Sequence, residues 1–141
     1  MSELKLLYRD YLRIPATLEE LQHVYTWAEE HFIQVSIDES RRFDIMLALS
    51  EAVTNAIRHG SSELHNATVD IEVEVTTEAV TLTIKDRGTG FDPDELPDPT
   101  HGHNLYFPNG RGVYLIRTLA DDVHFDFSSD GTSITVNFRL Q

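Results

Sequence analysis

The stretch Val80-Thr81-Leu82-Thr83-Ile84-Lys85-Asp86-Arg87-Gly88-Thr89-Gly90 decides the fold. Val80, Leu82 and Ile84 alternate with Thr81, Thr83 and Lys85, the period of a strand with one buried face. The same parity turns Asp86 toward the core, where a carboxylate is costly unless something hydrogen-bonds to it. The last strand repeats the pattern. Ile134, Val136 and Phe138 point inward, and parity carries Thr132 inward with them. An inward Asp and Thr beside a Gly-x-Gly turn predict the floor of a ligand pocket.

Outward from that strand the chain divides into short elements. Residues 4–14 read as a strand, an edge one, stopped by Pro15. Thr17 followed by Glu20 has the spacing of a capping box. Leu18, Leu21, Val24, Tyr25 and Ala28 then carry helical spacing to about Phe32. A second helix starts near Asp38 or Glu39 and stops at Gly60. Val69, Ile71, Val73 and Val75 alternate with Asp70, Glu72 and Glu74, predicting a strand with one wet face. It forms a hairpin with the Val80 strand through Thr77-Glu78. Residues 91–109 show no periodicity and hold four of the five prolines, which marks a long functional loop. Helical spacing resumes near Gly112, and a second hairpin turns at Asp130-Gly131. Hairpins call for mostly antiparallel pairing. Helices gathered on one face make the expected fold α+β: a two-layer α/β sandwich, with a mixed, mostly antiparallel sheet under three helices. Residues 1–141 are expected to form one domain.

The second helix has an unusual face. With Glu51 at zero and about 100° per residue, Asn55 falls near 40° and His59 near 80°. Ala48 and Ala52 share that arc, while Ile45, Leu49, Val53 and Ile57 lie across the helix. A solvated face would ordinarily carry long charged side chains. Small alanines beside a Glu and an Asn leave room for a ligand. An Asn oxygen suits Mg²⁺, which takes its other ligands from water and phosphate. A Glu one turn away can take a proton from an attacking hydroxyl. A plain amphipathic helix with both side chains in water is the alternative. His59 is equally read as a ligand contact or a structural histidine.

Gly88-Thr89-Gly90 follows a strand, and Gly110-Arg111-Gly112 opens a helix. Glycines let backbone N–H groups approach an anion, and a helix start favours negative charge. A tight turn and a helix start explain each alone. No Gly-x-x-x-x-Gly-Lys-Ser/Thr occurs, which excludes a P-loop. His101 with His103, and Asp92 with Asp94, lack further metal ligands at a recognisable spacing. The chain has no cysteine, which removes disulfides, thiolate metal sites and a cysteine nucleophile. The net charge of −13 opposes nucleic-acid binding and favours basic partners, and a solvated acidic surface with no partner role explains it equally. With no export signal and no long apolar run, the expected setting is the cytoplasm, with no membrane contact.

Together these motifs resemble the GHKL ATPases, the superfamily of histidine kinases, gyrase and Hsp90. The N box resembles Glu51-Ala52-Val53-Thr54-Asn55-Ala56-Ile57-Arg58-His59-Gly60. The first glycine box resembles Asp86-Arg87-Gly88-Thr89-Gly90, and the second Gly110-Arg111-Gly112-Val113. The Glu-Ala-Val-Thr-Asn-Ala wording and Leu119-Ala120-Asp121-Asp122-Val123 are similar to the anti-sigma-factor serine kinases of the RsbW/SpoIIAB type. The resemblance covers about residues 10–140.

It implies the Bergerat ATP-binding fold, with residues 91–110 as the ATP lid. It implies that Asp86 accepts the adenine amino group, with Thr132 supporting it through water. Asn55 would hold Mg²⁺ on the phosphates of ATP, with Glu51 as general base. His59, Gly88, Gly90, Gly110, Arg111, Gly112 and Val113 would complete the nucleotide site. The implied partners are a STAS-domain anti-anti-sigma factor, phosphorylated on serine, a sigma factor held from RNA polymerase, and a second copy in a homodimer. Pro108-Asn109 stands where some members carry a basic residue, and Arg111 is the candidate replacement for that charge. An ATP-binding module that sequesters a partner without phosphotransfer is the alternative function.

Overall fold

The computed structural model describes residues 5–60, 67–86, 111–128 and 131–140. The described chain runs β1 (Leu6–Pro15), a 3₁₀ turn (Leu18–Glu20), α1 (Leu21–Gln34), α2 (Glu39–Gly60), β2 (Thr68–Thr76), β3 (Ala79–Asp86), α3 (Arg111–Leu119), β4 (Asp122–Ser128) and β5 (Gly131–Arg139). The strands form one sheet in the order β1-β2-β3-β5-β4. All four pairings are antiparallel, so the mostly antiparallel sheet expected is antiparallel throughout its described strands.

Strand alternation builds the core. Val69, Ile71, Val73 and Val75 of β2, Val80, Leu82 and Ile84 of β3, and Ile134, Val136 and Phe138 of β5 are all buried. They meet Val24, Ala28 and Phe32 of α1, Ile45, Leu49, Val53 and Ile57 of α2, and Ile116 of α3 in one cluster. Three helices therefore cover one face of the sheet, as the patterning required.

The helix starts show where local signals held and where they did not. Asp38 caps α2: its Oδ2 accepts the N–H groups of Ser40 at 3.1 Å and Arg41 at 3.4 Å. The expected capping box at Thr17 does not form. Thr17 makes no side-chain cap bond, and the chain first winds the 3₁₀ turn. The backbone N–H of Glu20 bonds the Thr17 carbonyl instead, at 3.1 Å. The tighter i→i+3 turn takes the place of the reciprocal side-chain bonds.

The outer face of β2 departs from its expected wetness at one residue. Glu72 is exposed, but Asp70 is only 6% exposed. On the edge strand β1, Arg13 Nε donates to Asp70 Oδ1 at 2.7 Å and Tyr11 Oη donates to it at 2.8 Å. On the inner side of β1, Asp10 ties the strand to α1. It accepts bonds from Tyr8 Oη at 3.0 Å and Trp27 Nε1 at 3.1 Å, and His31 Nε2 lies 3.1 Å away. The backbone N–H of Tyr11 and the Tyr8 and Trp27 donors hold the Asp10 carboxyl below its ordinary range.

Candidate functional site

The inward polar ends expected from strand parity are present. Asp86 closes β3 with no exposed surface, and Thr132 opens β5 at 1% exposed. The register Lys85↔Ser133 and Ile84↔Ile134 brings the two side by side. The backbone N–H of Thr132 donates to Asp86 Oδ1 at 3.4 Å. Thr132 Oγ1 is buried and has no hydrogen-bond partner among the described residues. A buried hydroxyl left so costs about 1–3 kcal/mol, which a bound polar group would recover.

Gly131 belongs to this wall, although from the sequence it reads only as part of a turn. Its φ of +139° is one that side-chain-bearing residues rarely adopt. A Cβ there would lie 2.2 Å from the carbonyl oxygen of Asp86. The two backbones approach so closely that only a glycine fits. The signal available in the sequence was position: Gly131 immediately precedes the inward Thr132, on the strand next to Asp86.

The second wall comes from α2. Asn55 is 6% exposed, and its Nδ2 has no partner among the described residues. Glu51, one turn earlier, is half-buried. Ala48 and Ala52, expected to leave room for a ligand, are instead buried in the core of a helix packed on α3 and the sheet. The small side chains serve helix packing, so the open part of the face is narrower than the wheel implies. Val113 of α3 is buried against Phe125 and Phe127 of β4.

Other expected site residues are placed only in part. His59 lies in the last turn of α2, and Arg111 and Gly112 open α3. Gly88, Gly90, Gly110, the loop 91–110 and the His101/His103 and Asp92/Asp94 pairs lie outside the described residues. No helix among the described residues is long and apolar enough to cross a membrane.

Three helices on one side of a five-stranded antiparallel sheet, with buried polar residues at the ends of β3 and β5, define the GHKL-type ATPase fold. Residues 14–138 match the histidine kinase-like ATPase domain. The chain belongs to that family.

Its curated relatives include the serine-protein kinase RsbW of Bacillus subtilis strain 168, 34% identical over 86 residues, 57% of this chain and 54% of that protein. RsbW of Bacillus velezensis is 30% identical over 103 residues, 69% of this chain and 64% of that protein. RsbW of Staphylococcus aureus strain RF122 is 26% identical over 132 residues, 89% of this chain and 82% of that protein. The matches thus span between half and two thirds of the two Bacillus relatives. Among solved structures, the RsbU and RsbW domains of Rv1364c from Mycobacterium tuberculosis superpose with a TM-score of 0.67 at 20% identity, covering 94% of this chain and 32% of that one. The blue-light activated histidine kinase EL346 of Erythrobacter litoralis gives 0.60 at 23% identity, over 90% of this chain and 42% of that one. Both likenesses are of fold.

Proposed function

We propose that this chain is an ATP-dependent serine kinase of an anti-sigma partner switch. The observation that carries the reading is a pair of buried polar groups with unmet hydrogen bonds, one at the start of β5 and one on α2. Thr132 Oγ1 and Asn55 Nδ2 have no partner among the described residues, beside the fully buried Asp86. Those groups suit the amino edge of adenine at Asp86 and Thr132, and a phosphate oxygen as acceptor for Asn55 Nδ2, while Asn55 Oδ1 is the oxygen that would meet a cation. Mg²⁺, when bound, supplies charge neutralisation on the phosphates, and Asn55 is the residue to hold it.

Glu51 sits one helical turn from Asn55, on the same face, and acts as general base. A serine hydroxyl of the protein substrate attacks the γ-phosphorus of ATP. The new Oγ–P bond forms as the bond to the ADP oxygen breaks, and the hydroxyl proton passes to Glu51. Gly112, at the start of α3, offers backbone N–H to phosphate, and Arg111 beside it carries the compensating charge.

The substrate is a STAS-domain anti-anti-sigma protein, and the second partner is a sigma factor. The relatives bear the name serine-protein kinase, which supports the reaction class. A protein of net charge −13 repels a partner that has just gained a phosphate, so phosphorylation favours release. The protein works as a homodimer in the cytoplasm.

The test is incubation of the pure protein with its cognate STAS protein and Mg-ATP. The expected product is one phosphoserine on the partner. Glu51→Gln should lower that rate about 100-fold or more while leaving Mg-ATP affinity within twofold. Absence of phosphoserine, or equal rates in parent and Glu51→Gln, overturns the kinase reading. ATP-dependent partner binding that survives without turnover would make the protein a sequestering module.

A further inference from the structure

Arg41, in the first turn of α2, makes more varied contacts than its place on a helix surface requires. Nε donates to the carbonyl oxygen of Arg139 at 3.0 Å, and Nη1 to that of Leu119 at 3.2 Å. Nη2 forms an ion pair with Asp121. The guanidinium also lies over the ring of buried Phe138, 5.2 Å from its centroid. Asp121 is fixed in turn: its Oδ2 accepts the Arg139 N–H at 2.7 Å, and its own N–H donates to Asn137 at 2.9 Å. One side chain thus joins the start of α2, the end of α3 and the end of β5.

Leu119 is the last residue of α3, and its carbonyl has no acceptor role left within the helix. A cation at that end is also favoured by the helix dipole. The rest of α3 is held unevenly. Ile116, Leu119 and Ala120 pack on the main core, whereas Val113 sits in a separate small cluster with Phe125 and Phe127. The helix has nine residues, too few to be stable alone. It is clamped at its C-terminal end, and Gly112 stands seven residues from that clamp. From Leu119 to Gly112 is about 10 Å at 1.5 Å per residue, so a tilt of about 10° at the clamp moves Gly112 by about 2 Å.

We propose that Arg41 is a positioning residue for phosphate binding. Arg41, Glu51 and Asn55 lie on one helix. By gripping the C-terminal end of α3, Arg41 sets the distance between the Glu51/Asn55 face and the Gly112 turn. It touches no substrate and acts through α3. The inference rests on the nucleotide reading above, in which Asp86 holds adenine and Gly112 faces phosphate.

Two readouts test it together. The first is the ratio of ATP to adenosine affinity, by calorimetry for ATP and NMR titration for adenosine. Arg41→Met should weaken ATP about tenfold and leave adenosine within twofold, because the adenine end lies on β3 and β5. The second is amide exchange in the protein without nucleotide. Leu115 and Ile116, whose N–H groups bond the first residues of α3, should exchange more than tenfold faster, while Val53 of α2 and Leu82 of β3 keep their rates. Asp121→Asn keeps an acceptor for the Arg139 N–H but loses the ion pair, and should give the same pattern at smaller size if Arg41→Met does not fold. Arg41→Lys, with charge but no planar fork, should restore part of both effects. Equal losses for ATP and adenosine, or acceleration at all four amides, would show general destabilisation and overturn the proposal. So would an unchanged ratio with unchanged exchange. If the parent binds neither ligand, the nucleotide reading fails, and a role in phosphate binding falls with it.

Discussion

Two buried aspartates on neighbouring strands lie on opposite faces of the sheet. Asp70 of β2 lies on the outer face of the sheet, under a guanidinium and a phenol from β1. Asp86 of β3 lies on the inner face, held at 3.4 Å by the N–H of Thr132, a residue whose own hydroxyl is unmet among the described residues. Similar depth therefore carries different meanings. Where the chain itself supplies a short, charge-assisted bond, burial is architecture. Where a buried hydroxyl is unmet among the described residues, as at Thr132, the proposed function gives it a ligand as partner.

The largest expected effect separates the two directly. Asp86→Asn should lower ATP affinity about 100-fold, which is about 2.7 kcal/mol, with little change in the urea midpoint. Asp70→Ala should leave ATP affinity unchanged and cost about 1–3 kcal/mol in stability, since Tyr11 and Arg13 lose their acceptor. Calorimetry and urea unfolding on both variants decide it, and exchanged outcomes would reverse the assignment.

Thr132→Val sharpens the contrast with opposite signs in one variant. Removing a buried hydroxyl with no partner should raise the melting temperature of the nucleotide-free protein, by about 1 kcal/mol in stability. The same change should weaken ATP binding severalfold. A fall in both would mean that the hydroxyl serves the fold.

The smallest effect concerns a third aspartate, Asp10, which resembles Asp70 in being satisfied by the chain. Its carboxyl is held below the ordinary value of 3.8, chiefly by the Tyr11 N–H. A lowered folded value means that the stabilisation is fully present above the ordinary value and is lost as the pH falls through the folded one. The difference in urea midpoint between parent and Asp10→Asn should shrink as the pH falls below about 4. A difference that grows as the pH falls below about 4 would contradict the assigned direction.

Legibility in the sequence followed distance along the chain. Alternation over Val80–Asp86 and Thr132–Phe138 needs no partner to be read, and it turned both polar ends inward, as the structure has them. Helix limits at Asp38 and Gly60 are likewise local. The burial of Asp70 depends on Arg13 and Tyr11, which lie 57 and 59 residues earlier, and no local pattern announces them. Arg41 reaches Asp121 across 80 residues for the same reason. Ala48 and Ala52 were legible as small but not as covered, because a helical wheel does not show which neighbour packs against it. At Thr17 the local rule was present and lost to a 3₁₀ turn.

Gly131 carries a consequence for how this protein tolerates changes of length. Thr132 points inward only because Ile134, Val136 and Phe138 do, and Gly131 must meet the Asp86 carbonyl at the next step. Deleting or inserting one residue between Gly131 and Ile134 turns Thr132 to the outer face or brings a Cβ against that carbonyl. Pocket and core share one reading frame here, so natural or engineered length variation has to fall outside the paired stretches of β3 and β5.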